Sequence, residues 1–183
     1  MFCIRNTPSR RPRQTGFTMI EVLVSIVVLS FGMLGLAGLQ LNALKNSRGA
    51  ALRTLAIQHT YDMADRMRSN LGAVGTGNYS TAAVSAGTQK AACLTTAGCT
   101  PAEMAAHDIY EWQRNLGAST NVAGNGLPSG QGIVCIDSSA DATPSTPAAP
   151  LCDNLGQLFR IKVWYLDDTK DTVLKVIVVD FQA

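Results

Sequence analysis

The chain has 183 residues, a length that suits one soluble domain plus a membrane segment. Its net charge of +2 is unevenly distributed, because the first 16 residues contain four of the 15 basic residues and none of the 13 acidic ones. Without that leader, 11 basic residues face 13 acidic residues, a net charge of −2. The basicity therefore belongs to the leader, and the rest of the chain lacks the positive charge that nucleic-acid binding requires.

A long apolar segment follows the arginines of the leader. It runs from Phe17 to Leu44, and 28 residues in a helix would extend roughly 42 Å. This exceeds both the ~30 Å hydrocarbon core of a bilayer and the apolar region of a secretory signal, about 7–15 residues. We therefore expect residues 17–44 to span a membrane. The four arginines before the segment outnumber the three basic residues just after it, which favours a cytoplasmic N-terminus.

Glu21 is the one acidic residue inside this apolar segment. A carboxylate there is costly and indicates function. If the chain were cut after Gly16, the new amine of Phe17 would lie one helical turn from Glu21, and the helix dipole would also favour the negative charge. In a bundle of parallel helices, Glu21 would instead pair with the amine of a neighbouring subunit and set the axial register. The alternative is a carboxylate that reaches the headgroups without a further role.

The helical pattern continues beyond the apolar segment. One stripe at helical spacing predicts a single helix from Phe17 to about Ser69, whose second half packs on a domain; its members are Leu52, Leu55, Ala56, His59, Met63 and Met67. The segment from Leu71 to Gly98 is rich in Gly, Ala, Ser and Thr and predicts a loop. Beyond it, Thr100, Pro101 and Glu103 form a helix start with a capping box, which predicts a helix from Pro101 to about Asn115.

Three strands are predicted in the last third of the chain, over Gly132–Asp137, Leu158–Leu166 and Thr172–Phe181. The second strand alternates apolar side chains on one face, and a polar hairpin over residues 167–171 joins it to the third. The predicted class is therefore α+β, with the long N-terminal helix packed on a small antiparallel sheet.

Five cysteines are present, and Cys3 lies in the leader. The other four form two pairs that are close in sequence, Cys93 with Cys99 and Cys135 with Cys152. An even number predicts two disulfides and an oxidising compartment, although four cysteines allow three connectivities. A zinc site is disfavoured, since neither pair has the spacing of a zinc motif and the chain has two histidines.

No pattern of catalytic residues is found. The sequence contains no phosphate-binding loop, metalloprotease helix motif or nucleophile elbow. Glu103, His107 and Glu111 share a helical face, which a solvated surface explains better than a metal. Asp167, Asp168 and Asp171 lack the spacing of a calcium loop, and a hairpin turn is favoured there, with weak calcium binding left open. We expect no enzyme activity, cofactor or resident metal.

The stretch Gly16-Phe17-Thr18-Met19-Ile20-Glu21-Val22-Leu23, preceded by arginines, resembles the type IV prepilin signal. The resemblance implies that prepilin peptidase cleaves between Gly16 and Phe17 and methylates the new amine of Phe17. It also implies that Phe17 and Glu21 act in subunit assembly. The chain would then comprise a cleaved leader (1–16), a transmembrane and polymerisation half of the helix (17–44) and a periplasmic globular pilin domain (45–183), together the pilin fold.

Further residues resemble minor pilins of the PilV type. Major pilins with this signal usually carry a proline where this chain has Gly38. The segment Val27–Gln40, the set Asp108, Trp112 and Leu116, the segment Leu127–Cys135 and the pair Val163-Trp164 are similar to the PilV type. This implies a structural subunit of the tip or priming complex, in contact with other minor pilins, the major pilin and a large tip adhesin. Such a subunit resides in the inner membrane, then at the pilus tip, and supports adhesion and twitching motility.

Two alternatives share part of this pattern. A minor pseudopilin of a type II secretion system has the same signal and helix, and an unprocessed single-span membrane protein would have the same apolar segment. The N-terminus of the mature chain distinguishes the second alternative from a pilin.

Overall fold

The computed structural model describes residues 16–84, 87–118, 126–139, 145–167 and 172–182. Its internal contacts divide the chain into two units, one ending at Lys45 and the other beginning at Asn46. Helix α1, Met19–Ser69, has 51 residues and contributes to both units. The prediction of one helix reaching about Ser69 is confirmed, with a start two residues after Phe17.

In the first unit, the apolar side chains of α1 have no partner within the chain. Every described residue from Gly16 to Leu44 is exposed. Within the described part of the chain, α1 is the one helix that is long and apolar enough to cross a membrane. Because such a surface is unfavourable in water, this half of α1 needs a bilayer or other helices around it.

In the second unit, α1 contributes its buried face to a core. The buried residues are Ala56, Thr60, Met63, Ala64 and Met67, which recur at helical spacing. Two short elements follow, α2 (Leu71–Gly75) and a 3-10 turn (Ala91–Leu94), in the segment that the sequence predicts as a loop. Helix α3, Pro101–Gln113, continues into a π-helical turn over Arg114–Ala118. Of the predicted segment 71–98, residues 85 and 86 lie outside the described residues.

The sheet has three antiparallel strands in the order β1-β2-β3. They are β1 (Gln131–Ile136), β2 (Phe159–Tyr165) and β3 (Lys175–Phe181), each within the predicted strand or one residue outside it. In the observed register Val134 lies opposite Ile161, and Ile161 lies opposite Val179. The predicted α+β class is confirmed, while residues 168–171 of the predicted hairpin lie outside the described part.

The main core lies where α1 and α3 meet one face of the sheet. Trp112 is fully buried there, and its indole Nε1 donates a hydrogen bond to the backbone oxygen of His59 at 2.8 Å. Glycine is required at position 132, because a Cβ atom would overlap the ring of Trp112. The indole thus joins α1, α3 and β1 at one point.

The opposite face of the sheet is also buried, which the alternating pattern did not predict. Ile133, Cys135 and Trp164 form a second cluster there. The indole Nε1 of Trp164 donates to the backbone oxygen of Ser145 at 2.8 Å, so the segment after β1 covers this face. The alternating pattern identified which residues of β2 face the helices, but it did not predict that the segment after β1 covers the opposite face.

Candidate assembly site

The bond between Gly16 and Phe17 precedes the first turn of α1. The carbonyl oxygen of Thr18 accepts hydrogen bonds from the backbone N–H groups of Glu21 and Val22, at 3.1 and 3.3 Å. Phe17 is 82% exposed, and no atom lies within 4 Å of where a Cβ of Gly16 would be. A peptidase can therefore reach this bond without first unwinding the helix.

Glu21 occupies the first turn of α1 and is exposed among apolar neighbours. None of the ion pairs among the described residues includes it. The hydroxyl of Ser25, one turn along, donates a hydrogen bond to the backbone oxygen of Glu21 at 2.6 Å. This hydrogen bond does not involve the Glu21 carboxylate. A negative charge at a helix N-terminus is favoured by the dipole, but an apolar environment demands a cation nearby.

Phe17, Glu21, Ser25 and Leu29 follow one another at four-residue intervals along one side of the chain. Together with Val22 and Ile26 they line a shallow groove of about 380 Å³. The groove is apolar apart from Glu21 and Ser25, so a helix of similar character would fill it. Phe17 and Glu21, the two predicted assembly residues, therefore lie on one surface.

A buried polar network joins α1 to α3 and to the segment after α2. Arg66 Nη1 donates to Asp108 Oδ1 at 3.2 Å, and the hydroxyl of Tyr79 donates to Asp108 Oδ2 at 2.6 Å. Burial and the hydrogen bond to Asp108 raise the pKa of Tyr79, so the phenol stays protonated. The resemblance to minor pilins of the PilV type included Asp108 but not its hydrogen-bond partners. Their 42- and 29-residue separations from Asp108 leave no local signal.

The predicted capping box at the start of α3 is present. Glu103 N donates to Thr100 Oγ1 at 3.3 Å, and Thr100 N donates to Glu103 Oε2 at 2.9 Å. Hydrogen bonds from the backbone and hydroxyl of Thr100 hold the pKa of Glu103 below its ordinary value. The carboxylate of Glu103 therefore caps the N-terminus of α3 and is not available as a metal ligand.

His107 differs from the expectation of a solvated face. It is buried, and its Nδ1 accepts a hydrogen bond from the backbone of Lys90 at 3.3 Å, while Nε2 lies 3.6 Å from Glu111 Oε1. Its role is to fix the segment that precedes the Cys93–Cys99 ring. No group of three metal-ligating side chains occurs within the described ranges.

Two disulfides close loops of the second unit, Cys93–Cys99 and Cys135–Cys152. The second bond ties the end of β1 to the segment that covers the sheet. Beneath that segment Lys162 Nζ donates to Asp137 Oδ2 at 2.9 Å and to the backbone oxygen of Pro150 at 2.7 Å. Both side chains of this ion pair are fully buried.

Burial acts to raise the pKa of Asp137, but hydrogen bonds from Lys162 and Ser139 outweigh it, and the pKa lies below its ordinary value. Asp137 therefore remains charged opposite Lys162. The sequence analysis did not identify this pair, since a lysine in an alternating strand ordinarily indicates a solvated face.

Of the three aspartates considered for calcium, the structure describes one. The carboxylate of Asp167 forms an ion pair with the ammonium group of Lys175 and lies against Gly49 of α1. Asp168 and Asp171 fall outside the described residues. Asp167 thus links the end of β2 to β3 and to α1.

Comparison with known families gives two adjacent matches. Residues 11–37 match the prokaryotic N-terminal methylation motif, and residues 38–110 match the Tt1218-like family of type IV pilins. Neither the curated proteins nor the solved structures yield a match. The two family matches support a type IV pilin subunit, which implies processing by prepilin peptidase, membrane anchoring before assembly and assembly with other pilins.

Proposed function

We propose that this chain is a type IV pilin subunit, and that it is a minor pilin that joins the tip or priming complex of a type IV pilus. The observation that carries the proposal is the exposed apolar half of α1 with Glu21 in its first turn. Nothing among the described residues covers this half, so its stability depends on surroundings that a bilayer supplies first and a bundle of pilin helices supplies later.

Processing creates the cation that Glu21 lacks. Prepilin peptidase cuts between Gly16 and Phe17, and methylation leaves the amine of Phe17 able to carry a positive charge. When the helix leaves the bilayer for the filament, Glu21 pairs with the Phe17 amine of a neighbouring subunit. In a low dielectric that pair is strong enough to select one axial register.

The second unit is built for an oxidising environment and for contact with other subunits. Its two disulfides suit an oxidising compartment and hence a periplasmic domain over residues 45–183. Its described buried residues form a core around Trp112 and a second cluster around Trp164. A mechanical role, in which surfaces bind neighbouring subunits, accounts for this construction.

Placement among minor pilins of the PilV type rests on sequence similarity. Gly38 replaces the proline usual in major pilins, and Asp108 and Trp112 have central structural contacts in this fold. On this reading the partners are other minor pilins, the major pilin and a large tip adhesin. The subunit then supports adhesion and twitching motility through pilus assembly.

A pseudopilin of a type II secretion system is the second candidate, because it uses the same signal and apolar helix. The test is deletion of the gene in its own host, followed by counting of surface pili, a twitching assay and measurement of secreted enzymes. We expect fewer pili, lost twitching and normal secretion, with recovery on re-expression. Normal pili with lost secretion would instead establish the pseudopilin.

A further inference from the structure

A cleft lies between α1 and the adjoining ends of β2 and β3, wholly within the unit that begins at Asn46. It has a volume of about 330 Å³ and is lined by Gly49, Arg53, Tyr165, Lys175, Val176 and Ile177. We call it the Tyr165 cleft. None of the residues so far assigned to assembly contributes to it.

Tyr165 gives the cleft an unused hydrogen-bonding group. The residue is 2% exposed, and none of the hydrogen bonds among the described residues involves its hydroxyl, which is not one of the fully buried polar atoms that lack a partner. Burial raises the pKa of Tyr165, Lys175 and Arg53 act to lower it, and Asp167 acts to raise it, so two cations and one carboxylate lie near the phenol. A hydroxyl that lines a cleft beside two cations is suited to donate to an anion.

The surroundings of the cleft carry a net positive charge, because Arg53 and Lys175 outnumber the one carboxylate that lies against Gly49, that of Asp167. Lys175 is paired with Asp167, whereas Arg53 is exposed and takes part in none of the ion pairs among the described residues. Along α1 no acidic residue occurs between Glu21 and Asp62, and the three charged residues in that interval are Lys45, Arg48 and Arg53. Arg53 therefore supplies positive charge that no neighbouring carboxylate on its own helix neutralises.

We propose that the Tyr165 cleft binds the phosphate of an anionic phospholipid headgroup while the subunit waits in the membrane. Arg53 donates charge-assisted hydrogen bonds to the phosphate, Lys175 adds positive charge while it stays paired with Asp167, and the Tyr165 hydroxyl donates a further hydrogen bond. A lipid is the occupant because Arg48 and Arg53 follow the end of the membrane-spanning segment, Leu44, by four and nine residues of the same helix. Val176 and Ile177 offer apolar contact for the glycerol backbone.

The test uses the full chain in nanodiscs that contain equal amounts of phosphatidylglycerol and phosphatidylcholine. Native mass spectrometry then measures which lipid stays bound after the disc is released. We expect phosphatidylglycerol to be enriched, and Arg53→Gln to reduce that enrichment about fivefold, as expected when about 1 kcal/mol per basic residue is lost at an anionic surface. Tyr165→Phe, which keeps the ring, should reduce it as well.

Arg114→Gln is the matched control, because it removes the same charge from an exposed residue that stacks on Tyr110 and lies outside the cleft. Equal enrichment in the wild type and Arg53→Gln, or an equal loss in Arg114→Gln, would overturn the proposal. So would displacement of the bound lipid by inorganic phosphate, which would identify a phosphate site and not a lipid site.

This inference rests on the membrane anchoring of the proposed function, not on the identity of the filament. Different results would refute the lipid proposal and the proposed function. Loss of the lipid preference of the cleft would leave pilus numbers in the deletion strain unchanged, and a secretion phenotype in that strain would leave the lipid measurement unchanged.

Discussion

Glu21 presents the sharpest prediction about a single residue. Replacement by Gln keeps the size and the helix but removes the charge that pairs with the Phe17 amine of a neighbour. We expect Glu21→Gln to be processed and inserted like the wild type, but to fall at least tenfold in sheared pili, because an unpaired amine would be left among apolar helices. Immunoblots of membranes and of sheared pili, normalised to the wild type, measure both steps.

Ser25→Ala is the control for that experiment. It lies one turn along the same groove and removes a hydroxyl that bonds only the backbone oxygen of Glu21. If Ser25→Ala lowered incorporation as strongly as Glu21→Gln, the groove surface and not the charge would explain the loss. Normal incorporation of Glu21→Gln would refute the charge-pairing role.

His59 makes stability depend on pH. Burial lowers its pKa below the ordinary value of 6.5, against the opposing charge of Asp62, and its Nε2 is buried without a hydrogen-bond partner. Below pH 6.5 the unfolded chain therefore binds a proton that folded His59 resists. Stability contributed by neutral His59 is present above the unfolded pKa and is lost as the pH falls below it.

We expect the thermal unfolding midpoint of the full chain in detergent to decrease as the pH is lowered from about 7 to about 5. His59→Gln should make this decrease smaller. Asp137 responds in another range, since its lowered pKa preserves its contribution until more acidic pH. Thermal unfolding followed by circular dichroism at several pH values separates the two. An unchanged slope in His59→Gln would assign the dependence to another group.

At the scale of elements, the buried Asp137–Lys162 pair holds the covering segment on the sheet. Lys162→Met leaves the buried carboxylate of Asp137 with the more distant Arg160, at 3.4 Å, in place of its fully buried cation and should cost up to about 3–5 kcal/mol of unfolding free energy. The double variant Lys162→Met with Asp137→Asn should cost less than the single one, because the fully buried carboxylate is removed together with the lysine and Arg160 keeps its ion pair with Asp180. Urea unfolding with the disulfides intact measures both.

The exposed pair between Lys175 and Asp167 serves as the comparison. Lys175→Met removes the same kind of charge from a half-exposed ion pair and should cost less than about 1 kcal/mol. A cost for Lys162→Met no larger than that for Lys175→Met would show that the buried pair contributes little to the fold.

The elements themselves could be predicted from local sequence. The stripe ending at Met67, the capping box at Thr100 and the alternation in β2 depend on neighbours within a few residues, and each gave a helix or strand close to the observed one. The partners of Asp108, the Lys162 pair and the cover over Trp164 could not be predicted. They join residues far apart in sequence, and they depend on how the elements pack.

For the whole molecule, the assembly residues and the Tyr165 cleft differ in how far they can be predicted from sequence. Gly16, Phe17 and Glu21 were found from one contiguous motif, which needs no tertiary contact to be recognised. The Tyr165 cleft was not, because Gly49, Arg53 and Tyr165 become neighbours only when α1 packs on the sheet. A functional site that forms one contiguous motif can thus be predicted from sequence. A site whose residues come together by packing can be found only in the folded structure.

Processing changes the charge of the whole chain, and this yields a test of its class. Removal of residues 1–16 takes away four arginines and no acidic residue, so the net charge changes from +2 to −2. The isoelectric point, about 8.3 for the full chain, should therefore move to the acidic side of neutrality. Co-expression with prepilin peptidase, isoelectric focusing and intact mass should show this shift together with one added methyl group.

Variants at two glycines make the processing experiment specific. Gly16→Val changes the residue before the cut and should leave the chain at its basic isoelectric point, whereas Gly32→Val, deeper in the apolar segment, should be processed normally. Both positions have open space around the Cβ, so neither change strains the fold. A chain that stays basic with the peptidase present would exclude the pilin pathway and leave an unprocessed membrane anchor. A shifted chain that begins at Phe17 leaves the pilus and the secretion system as the two destinations, which the deletion phenotype then separates.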